Sequence, residues 1–129
     1  MANYKPKLTE AQLKRQIGDY LEYGMNQGNW YYDRLNSGEI VAIFGQSRRR
    51  ITLCREGTAD FYIIRKLNEK PLRIIFLELK SDKGKTSPAQ NAFKKLVEIQ
   101  GAEYAVIRST EKLEEILGGV SEDNKSYTY

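Results

Sequence analysis

At 129 residues the chain has the size of a single domain with one hydrophobic core. Apolar residues make up 40% and charged residues 29%, which is a globular composition and excludes a largely disordered chain. No apolar run is long enough to cross a bilayer, and residues 1–8 lack the hydrophobic core of a signal peptide. We therefore expect an intracellular, cytoplasmic protein with no membrane partner.

The net charge and the absence of histidine limit the partners and the catalytic mechanisms that the protein can have. A formal net charge of +4 permits a nucleic-acid partner without requiring one. The chain has no histidine, which excludes Ser-His-Asp and Cys-His catalysis, histidine-ligated zinc and nucleases with a histidine base. The one cysteine, Cys54, cannot form an internal disulfide. Catalysis must therefore use carboxylates, lysines, hydroxyls, backbone groups and a hard cation.

The first predicted element is a helix with a complete start signal. Thr9 is the N-cap, and Gln12 three residues later completes a capping box. Apolar residues then recur at helical spacing, which predicts one buried face formed by Leu13, Ile17, Tyr20, Leu21 and Gly24. The helix is expected to end near Gly28. Glu10 lies in its first turn, where its local sequence indicates compensation of the helix dipole.

Three strands are predicted after this helix, at residues 30–32, 39–44 and 48–53. Aromatic residues between Tyr20 and Tyr32 could stack on bases, but we interpret them as core. On the third strand, Arg48, Arg49 and Arg50 would project to both faces, and Arg55 follows closely. Two interpretations stay open for these arginines: a solvated edge whose charge discourages aggregation, or contacts to DNA phosphates.

Two further strands are predicted at residues 59–66 and 72–80, joined by a reversal at 67–71. Both faces of the second strand are largely apolar, which is typical of a central strand covered on two sides. If the two strands form a hairpin centred on Glu69, Asp60 lies directly across from Glu78, with Cβ atoms roughly 5 Å apart. Two carboxylates that close repel each other unless a cation or a proton lies between them.

This carboxylate pair predicts a metal site. Asp60, Glu78 and the backbone carbonyl of Leu79 offer hard oxygens suited to Mg²⁺ or Mn²⁺. Lys80 lies two residues after Glu78 on the same face, where it would hold or help activate an attacking water and offset charge on a phosphate. The alternative is that Lys80 forms an ordinary salt bridge with one carboxylate at the sheet edge.

The rest of the chain alternates helix and strand. Ser87, Pro88 and Gln90 supply a serine cap, a proline at N1 and a glutamine at N3, which predicts a helix that ends at Gly101. A strand at 103–108 after that helix indicates an α/β crossover. A last helix is predicted to end at residues 118–119, and residues 121–129 form a polar tail. No linker or repeat divides the chain, so we predict one domain over residues 1–129.

In combination these motifs resemble the VRR-NUC (virus-type replication-repair nuclease) family of the PD-(D/E)xK nuclease superfamily. The resemblance spans residues 9–117, close to the whole chain. The residues that carry it are Thr9-Glu10, Asn36-Ser37-Gly38, Gly57-x-x-Asp60, Glu78-x-Lys80-Ser81, Gly84-Lys85 and Ser87-Pro88-x-Gln90. One departure is Ala59, where the family usually has a proline before the aspartate.

The resemblance implies an α/β fold with a restriction-endonuclease-like core, in which a mixed β-sheet lies between helices. It implies that Asp60 and Glu78 bind the metal and that Lys80 is the catalytic lysine. It also implies that Glu10 points into the site as an additional candidate metal ligand and that Gln90 lines the site. For Gln90 the capping box stays open as an alternative, and both roles can hold at once.

We therefore expect a Mg²⁺- or Mn²⁺-dependent endodeoxyribonuclease that cuts branched DNA such as a four-way (Holliday) junction. Stand-alone members resemble junction-resolving homodimers, and paired cuts by a domain with one site also favour a two-fold dimer. DNA contacts are expected from Arg48, Arg49, Arg50, Arg55, Lys83 and Lys85. The alternatives are a non-catalytic DNA-binding module of the same fold, or a restriction-type endonuclease, for which the chain shows no dedicated base-reading element.

Overall fold

The computed structural model of the protein describes residues 7–118. The elements in this range are α1 (Glu10–Asn26), β1 (Tyr31–Arg34), β2 (Glu39–Phe44), β3 (Ser47–Thr52), β4 (Phe61–Arg65), β5 (Arg73–Leu79), α2 (Pro88–Ile99), β6 (Glu103–Ile107) and α3 (Thr110–Ile116). The predicted helix end at Gly119 and the predicted polar tail at 121–129 lie outside the described residues.

The larger sheet has the strand order β1-β4-β5-β6. β4 pairs antiparallel with both β1 and β5, whereas β6 runs parallel to β5. The parallel pair follows from the connection, because the chain crosses back through α2 between these two strands. α1 and α3 pack on one face of the sheet, and α2 packs on the other through Phe93, whose ring meets Phe76 edge-on at 5.2 Å. The predicted α/β fold with a mixed sheet between helices is confirmed.

The hydrophobic core lies between α1, α3 and the sheet. Leu13, Ile17, Leu21 and Gly24 of α1 are buried there, as their spacing predicts. A Cβ atom at Gly24 would overlap the ring of Trp30, so the glycine lets this ring pack directly on the helix. Its indole N–H donates a hydrogen bond to the carbonyl oxygen of Leu21 at 2.8 Å.

Assigning all the aromatic residues between 20 and 32 to the core was wrong in part. Trp30 is buried, and Tyr20 and Tyr32 pack against the core. Tyr23 and Tyr31 are exposed instead, with Tyr31 49% accessible to solvent. Tyr31 lies on the sheet face opposite the core, on the edge strand β1, where α2 does not reach.

Strands β2 and β3 form a separate two-stranded sheet. We call residues 36–54 the arm. Its base is closed by the Cys54 N–H, which donates to the carbonyl of Asn36 at 2.9 Å, and by the Leu53 N–H, which donates to Gly38 at 2.8 Å. Beyond this base, neither arm strand packs against another helix or strand of residues 7–118.

Gly57 sets the position of α2 relative to the strand that follows the arm. Its φ of +87° lies in the left-handed region, which favours glycine. A Cβ atom at this position would also overlap the backbone carbonyl of Ala89 in the first turn of α2. The segment before β4 and the start of α2 therefore touch backbone to backbone.

We expect Gly57→Ala to lower the free energy of unfolding by about 3 kcal/mol, because strain at positive φ adds to an overlap with backbone. Urea unfolding followed by circular dichroism measures this loss. The matched control is Gly38→Ala, which has a φ of +98° and no atom within 4 Å of the added Cβ. That substitution should cost only about 1 kcal/mol. Equal losses for both variants would contradict the packing role of Gly57.

Candidate metal and nuclease site

The pairing of β4 with β5 brings Asp60 to Glu78. Phe61 pairs with Leu77 and Ile63 with Ile75, which is the register of a hairpin centred on Glu69. One step further along the same register, Asp60 faces Glu78 just outside the ladder. The Asp60 N–H donates to the carbonyl of Leu77 at 2.9 Å, which fixes this residue against β5. The predicted register is confirmed.

The two carboxyl groups share a buried environment at the end of these strands. Asp60 Oδ2 accepts a hydrogen bond from the Leu79 backbone N–H at 2.7 Å. Glu78 is only 3% exposed. Burial, followed by a hydrogen bond to the Asp60 carboxyl group and by the charge of that group, raises the pKa of Glu78 to about 8. Glu78 Oε1 is buried and has no hydrogen-bond partner among residues 7–118.

Lys80 belongs to this cluster. Its positive charge acts on Glu78 in the direction that lowers the pKa, against the effects of burial and Asp60. Its backbone N–H donates to Ile107 at 3.0 Å, and a Cβ atom at Gly84 would lie 3.4 Å from the Lys80 Cβ, so the following loop folds over the lysine stem. Lys80 forms no ion pair within residues 7–118, so the alternative of an ordinary salt bridge is not what the structure shows.

The ion pair at this site is made by Lys14, which was not predicted. The Lys14 ammonium, on the second turn of α1, lies 3.2 Å from Asp60 Oδ1, and both side chains are partly buried. Its charge also acts to lower the pKa of Glu78. The sequence feature that could have identified Lys14 is its position. It lies one helical turn after Glu10, on the helix face that the family resemblance assigned to the site.

Glu10 itself is exposed. Within the described range, no group of three or more Asp, Glu, Cys or His side chains is arranged to hold a metal ion. Glu10 lies in the first turn of α1, where a carboxylate compensates the helix dipole. A role for Glu10 in the metal site stays a prediction.

Gln90 forms the capping box that its sequence position indicates. Its Oε1 accepts from the Ser87 N–H at 2.8 Å, and its own N–H donates to Ser87 Oγ at 3.1 Å. The contact between Gly57 and Ala89 places this helix start against the segment that leads to Asp60. A second role for Gln90 in lining the site stays a prediction.

Tyr104 is a second residue near the carboxylates that was not predicted. It lies on β6 beside Phe76 of β5, and its buried hydroxyl group has no hydrogen-bond partner in the described part of the chain. Burial and then the charges of Glu78 and Asp60 raise the pKa of this phenol above its ordinary value, so the hydroxyl keeps its proton. Two unpartnered polar groups, the Tyr104 hydroxyl and Glu78 Oε1, thus occur in the same region.

The arm arginines divide between two faces, as predicted. Arg48 and Arg50 pair with Ile43 and Val41, so they share one face, while Arg49 lies on the other. Arg50 is 3.6 Å from Glu39, and the Arg49 guanidinium lies 6.0 Å from the centre of the Phe44 ring. Arg48 has no ion-pair partner among residues 7–118.

The remaining predicted DNA contacts lie closer to the carboxylates in sequence. Arg55, Lys83 and Lys85 have exposed side chains. The Arg55 carbonyl accepts from the Thr58 N–H at 3.1 Å, in the turn that leads to Asp60. Lys83 and Lys85 follow Lys80 in the loop before α2. Arg108 holds that loop through a 2.6 Å hydrogen bond to the carbonyl of Ser81.

Comparison with known proteins assigns the chain to no family. No model of a known protein family matches the chain, and no curated protein matches it. Among residues 7–118, no helix is long and apolar enough to cross a membrane. The argument for function therefore depends on the site itself.

The buried carboxyl pair predicts a pH-dependent stability. The folded-state pKa of Glu78, about 8, lies above the ordinary value of 4.5. Between these pH values the folded protein keeps a proton that the unfolded chain has released. Without metal, the contribution of this group is therefore fully present below about pH 4.5 and is lost as the pH rises through about 8.

We expect Glu78→Gln to remove this pH-dependent loss of the free energy of unfolding, which is on the order of 3 kcal/mol. The measurement is urea unfolding in EDTA at intervals from pH 4.5 to 9. Glu98→Gln, at an exposed position of α2, is the matched control and should keep the slope of the unmodified protein. An unchanged slope in Glu78→Gln would show that Glu78 titrates normally in the fold.

Proposed function

We propose that this protein is a metal-dependent endodeoxyribonuclease that hydrolyses DNA phosphodiester bonds. The observation that carries the proposal is the contact between the Asp60 and Glu78 carboxyl groups, with Lys80 beside them, at the end of two paired strands. Burying two carboxyl groups together costs stability and does no structural work that apolar residues could not do. Such a cluster is typical of a functional site.

The residues present fit a hard divalent cation. Glu78 Oε1 is buried with no hydrogen-bond partner within the described range, and Asp60 is held beside it by the Leu79 N–H. Carboxylate and carbonyl oxygens are the ligands that Mg²⁺ and Mn²⁺ prefer, so Asp60, Glu78 and the Leu79 carbonyl would hold the ion. A bound cation would supply a more acidic water and charge compensation at the phosphate.

Lys80 and Lys14 supply the positive charge that the two carboxylates lack. Lys80 acts electrostatically on Glu78, and its stem lies beside the loop at Gly84. In the proposed reaction it would orient the attacking water and stabilise the extra negative charge on the phosphate. The water gives up a proton to solvent as its oxygen bonds to phosphorus, the bond from phosphorus to the leaving sugar oxygen breaks, and that oxygen takes up a proton from solvent. Lys14 balances Asp60 from the opposite side of the strand end.

One observation favours the alternative, a non-catalytic DNA-binding module of the same fold. The Lys14 ammonium already neutralises Asp60, and an ammonium can take the place of a metal ion as the counter-charge of a carboxylate. Metal binding separates the two functions. A nuclease site should gain thermal stability with Mg²⁺ or Mn²⁺, whereas a lysine-neutralised module should not.

The substrate and the assembly are also part of the proposal. The pattern of motifs resembles VRR-NUC nucleases, which favours branched DNA, such as a four-way junction, cut by a homodimer with one site per copy. A two-fold dimer presents two equivalent sites, as paired cuts in two strands require. A restriction-type enzyme would instead need a base-reading element.

We expect the purified protein to cut a four-way junction with Mg²⁺ or Mn²⁺ and not with EDTA. Lys80→Ala and Asp60→Asn should each lower the cleavage rate by about 100-fold or more, because each removes a group that acts on the reacting phosphate or its cation. Lys94→Ala, at an exposed position of α2, is the control and should cut normally. Gel assays with a matched linear duplex measure the preference.

Two results would contradict parts of the proposal. No cleavage of any DNA with either metal, together with no thermal shift on adding metal, would favour the non-catalytic module. Equal rates on the junction and on the linear duplex would leave the nuclease and remove its preference for branched DNA.

We expect Arg48→Ala and Arg50→Ala each to weaken DNA binding and to reduce the salt slope by about one, since each removes one phosphate contact from the same arm face. Arg49→Ala is the matched control: it lies on the other face, against Phe44. Fluorescence anisotropy at several salt concentrations, in a Lys80→Ala background, measures the effect. Equal losses for all three would show that the arm does not present one face to DNA.

A further inference from the structure

Arg65, the last residue of β4, is a buried cation that the candidate nuclease site does not use. Its side chain is only 1% exposed, although arginine is rarely buried without a partner of opposite charge. It forms no ion pair within residues 7–118. Taking a charge out of water costs free energy that hydrogen bonds and an opposite charge must offset. Packing alone therefore does not account for this arginine.

The guanidinium of Arg65 has one bonded edge and one free edge. Its Nη1 donates a hydrogen bond to the Leu117 carbonyl, and its central carbon lies 5.4 Å from the centre of the Trp30 ring. Nε and Nη2 are buried and have no hydrogen-bond partner in the described part of the chain. These two nitrogens form the edge of a guanidinium that binds two oxygens of one anion side by side.

Arg73, directly opposite Arg65 in the pairing of β4 with β5, uses the same edge. Its Nε and Nη2 donate to the two carboxylate oxygens of Glu103 at 2.7 and 2.8 Å. Burial and then the charge of Arg73 lower the pKa of Arg65, and Tyr20 acts in the opposite direction. Like charges directly opposite each other destabilise a sheet. Arg65 thus lacks the anion that its neighbour has.

Arg65 lines a cavity of about 230 Å³ together with two other cationic side chains, Lys70 and Arg73. The connection between β4 and β5 and the end of α3 complete the wall. Lys70 is exposed and forms no ion pair among the described residues. The volume is below the range of about 300–1,000 Å³ that is typical of pockets for drug-sized ligands. The cavity is therefore suited to a small anion.

We propose that this cavity binds a terminal phosphate group, as inorganic phosphate or as a phosphate monoester, through the Nε and Nη2 edge of Arg65. Two phosphate oxygens would meet this edge as the Glu103 carboxylate meets Arg73. Arg65 and Lys70 are both without an ion-pair partner in the described range, so the wall offers two positive charges for the two negative charges of such a phosphate.

The cavity lies at the opposite end of the sheet from the carboxyl pair. Arg65 ends β4 and Arg73 begins β5, whereas Asp60 precedes β4 and Glu78 lies close to the end of β5. The extended chain from Asp60 to Arg65 spans roughly 16 Å. A phosphate group at Arg65 is therefore not the reacting phosphate of the proposed nuclease, and the proposal does not depend on DNA cleavage.

Both arginines of the cavity also bond to the end of α3. Arg65 donates to the Leu117 carbonyl, and Arg73 donates to the Ile116 carbonyl at 3.1 Å. A phosphate group held by Arg65 would offset its buried charge and so stabilise the contact between the β4–β5 hairpin and α3. The bound form would be the more stable form of the protein.

The test is a titration of the protein with inorganic phosphate, in EDTA and at constant ionic strength with chloride. The Arg65 Nε–H resonance in nitrogen–proton NMR spectra should shift and saturate with a dissociation constant on the order of 1 mM. Arg65→Lys keeps the charge but removes the two-nitrogen edge, and it identifies the resonance by its absence. It should weaken phosphate binding by about 10-fold or more in calorimetry. An Arg65 resonance that phosphate does not shift would overturn the proposal.

A matched pair of lysine variants tests the cavity against a general attraction to positive charge. Lys70 lines the cavity, whereas Lys66, also exposed and next to Arg65 in sequence, does not. Lys70→Ala should weaken phosphate binding by about 3-fold, and Lys66→Ala should leave it unchanged. Equal losses in the two variants would overturn the cavity as the site. Both lysines are exposed, so this comparison holds even if Arg65→Lys does not fold, which circular dichroism checks.

Further ligands and one further variant identify the anion and its place. Thymidine 5′-monophosphate that binds as tightly as inorganic phosphate, while thymidine does not bind, would support a monoester as the source; binding of inorganic phosphate alone would support the free ion. Acetate that binds as tightly as phosphate would overturn the phosphate in favour of a carboxylate. Binding that is lost in Lys80→Ala and kept in Arg65→Lys would overturn the proposal, because the phosphate would then lie at the candidate metal site.

Discussion

The burial of Glu78 beside Asp60 is the constraint on which the rest of the site depends. A carboxylate in this position loses its hydration and faces a second negative charge, so the fold must supply protons, cations or backbone donors around it. The described structure supplies the Lys14 ammonium, the charge of Lys80 and the Leu79 N–H. Lys14 comes from α1, whereas Leu79 and Lys80 are consecutive residues at the end of β5, so the charge balance of Glu78 depends on α1 lying beside the end of this strand.

Backbone hydrogen bonds and a backbone contact hold together the segments that meet at this end of the sheet. The Asp60 N–H and carbonyl bond to Leu77 and Leu35, on the two neighbouring strands. Gly57, three residues before, touches the backbone of Ala89 at the start of α2. Because backbone groups carry these contacts, the side chain of Asp60 is left to interact with Glu78, Lys14 and the Leu79 N–H.

The sequence was sufficient to predict the elements that carry a regular apolar spacing or a capping motif. Alternation in β5 and a reversal centred on Glu69 gave the register that pairs Asp60 with Glu78, and the capping residues located α1 and α2. The sequence could not decide between Glu10 and Lys14, because both lie on one helix face and only the tilt of the helix decides which side chain reaches the site. Nor could it show that the arm stands apart, since alternation indicates a strand and not what covers it.

The arm and the carboxyl pair are joined by the backbone. Leu35, the residue just before the arm, donates its N–H to the Asp60 carbonyl at 2.8 Å, and the returning chain reaches Gly57 within three residues of Cys54. Backbone hydrogen bonds therefore hold the base of the arm against the segment that carries Asp60, so that a change in the arm's position would act first on this carboxylate and not on Lys80.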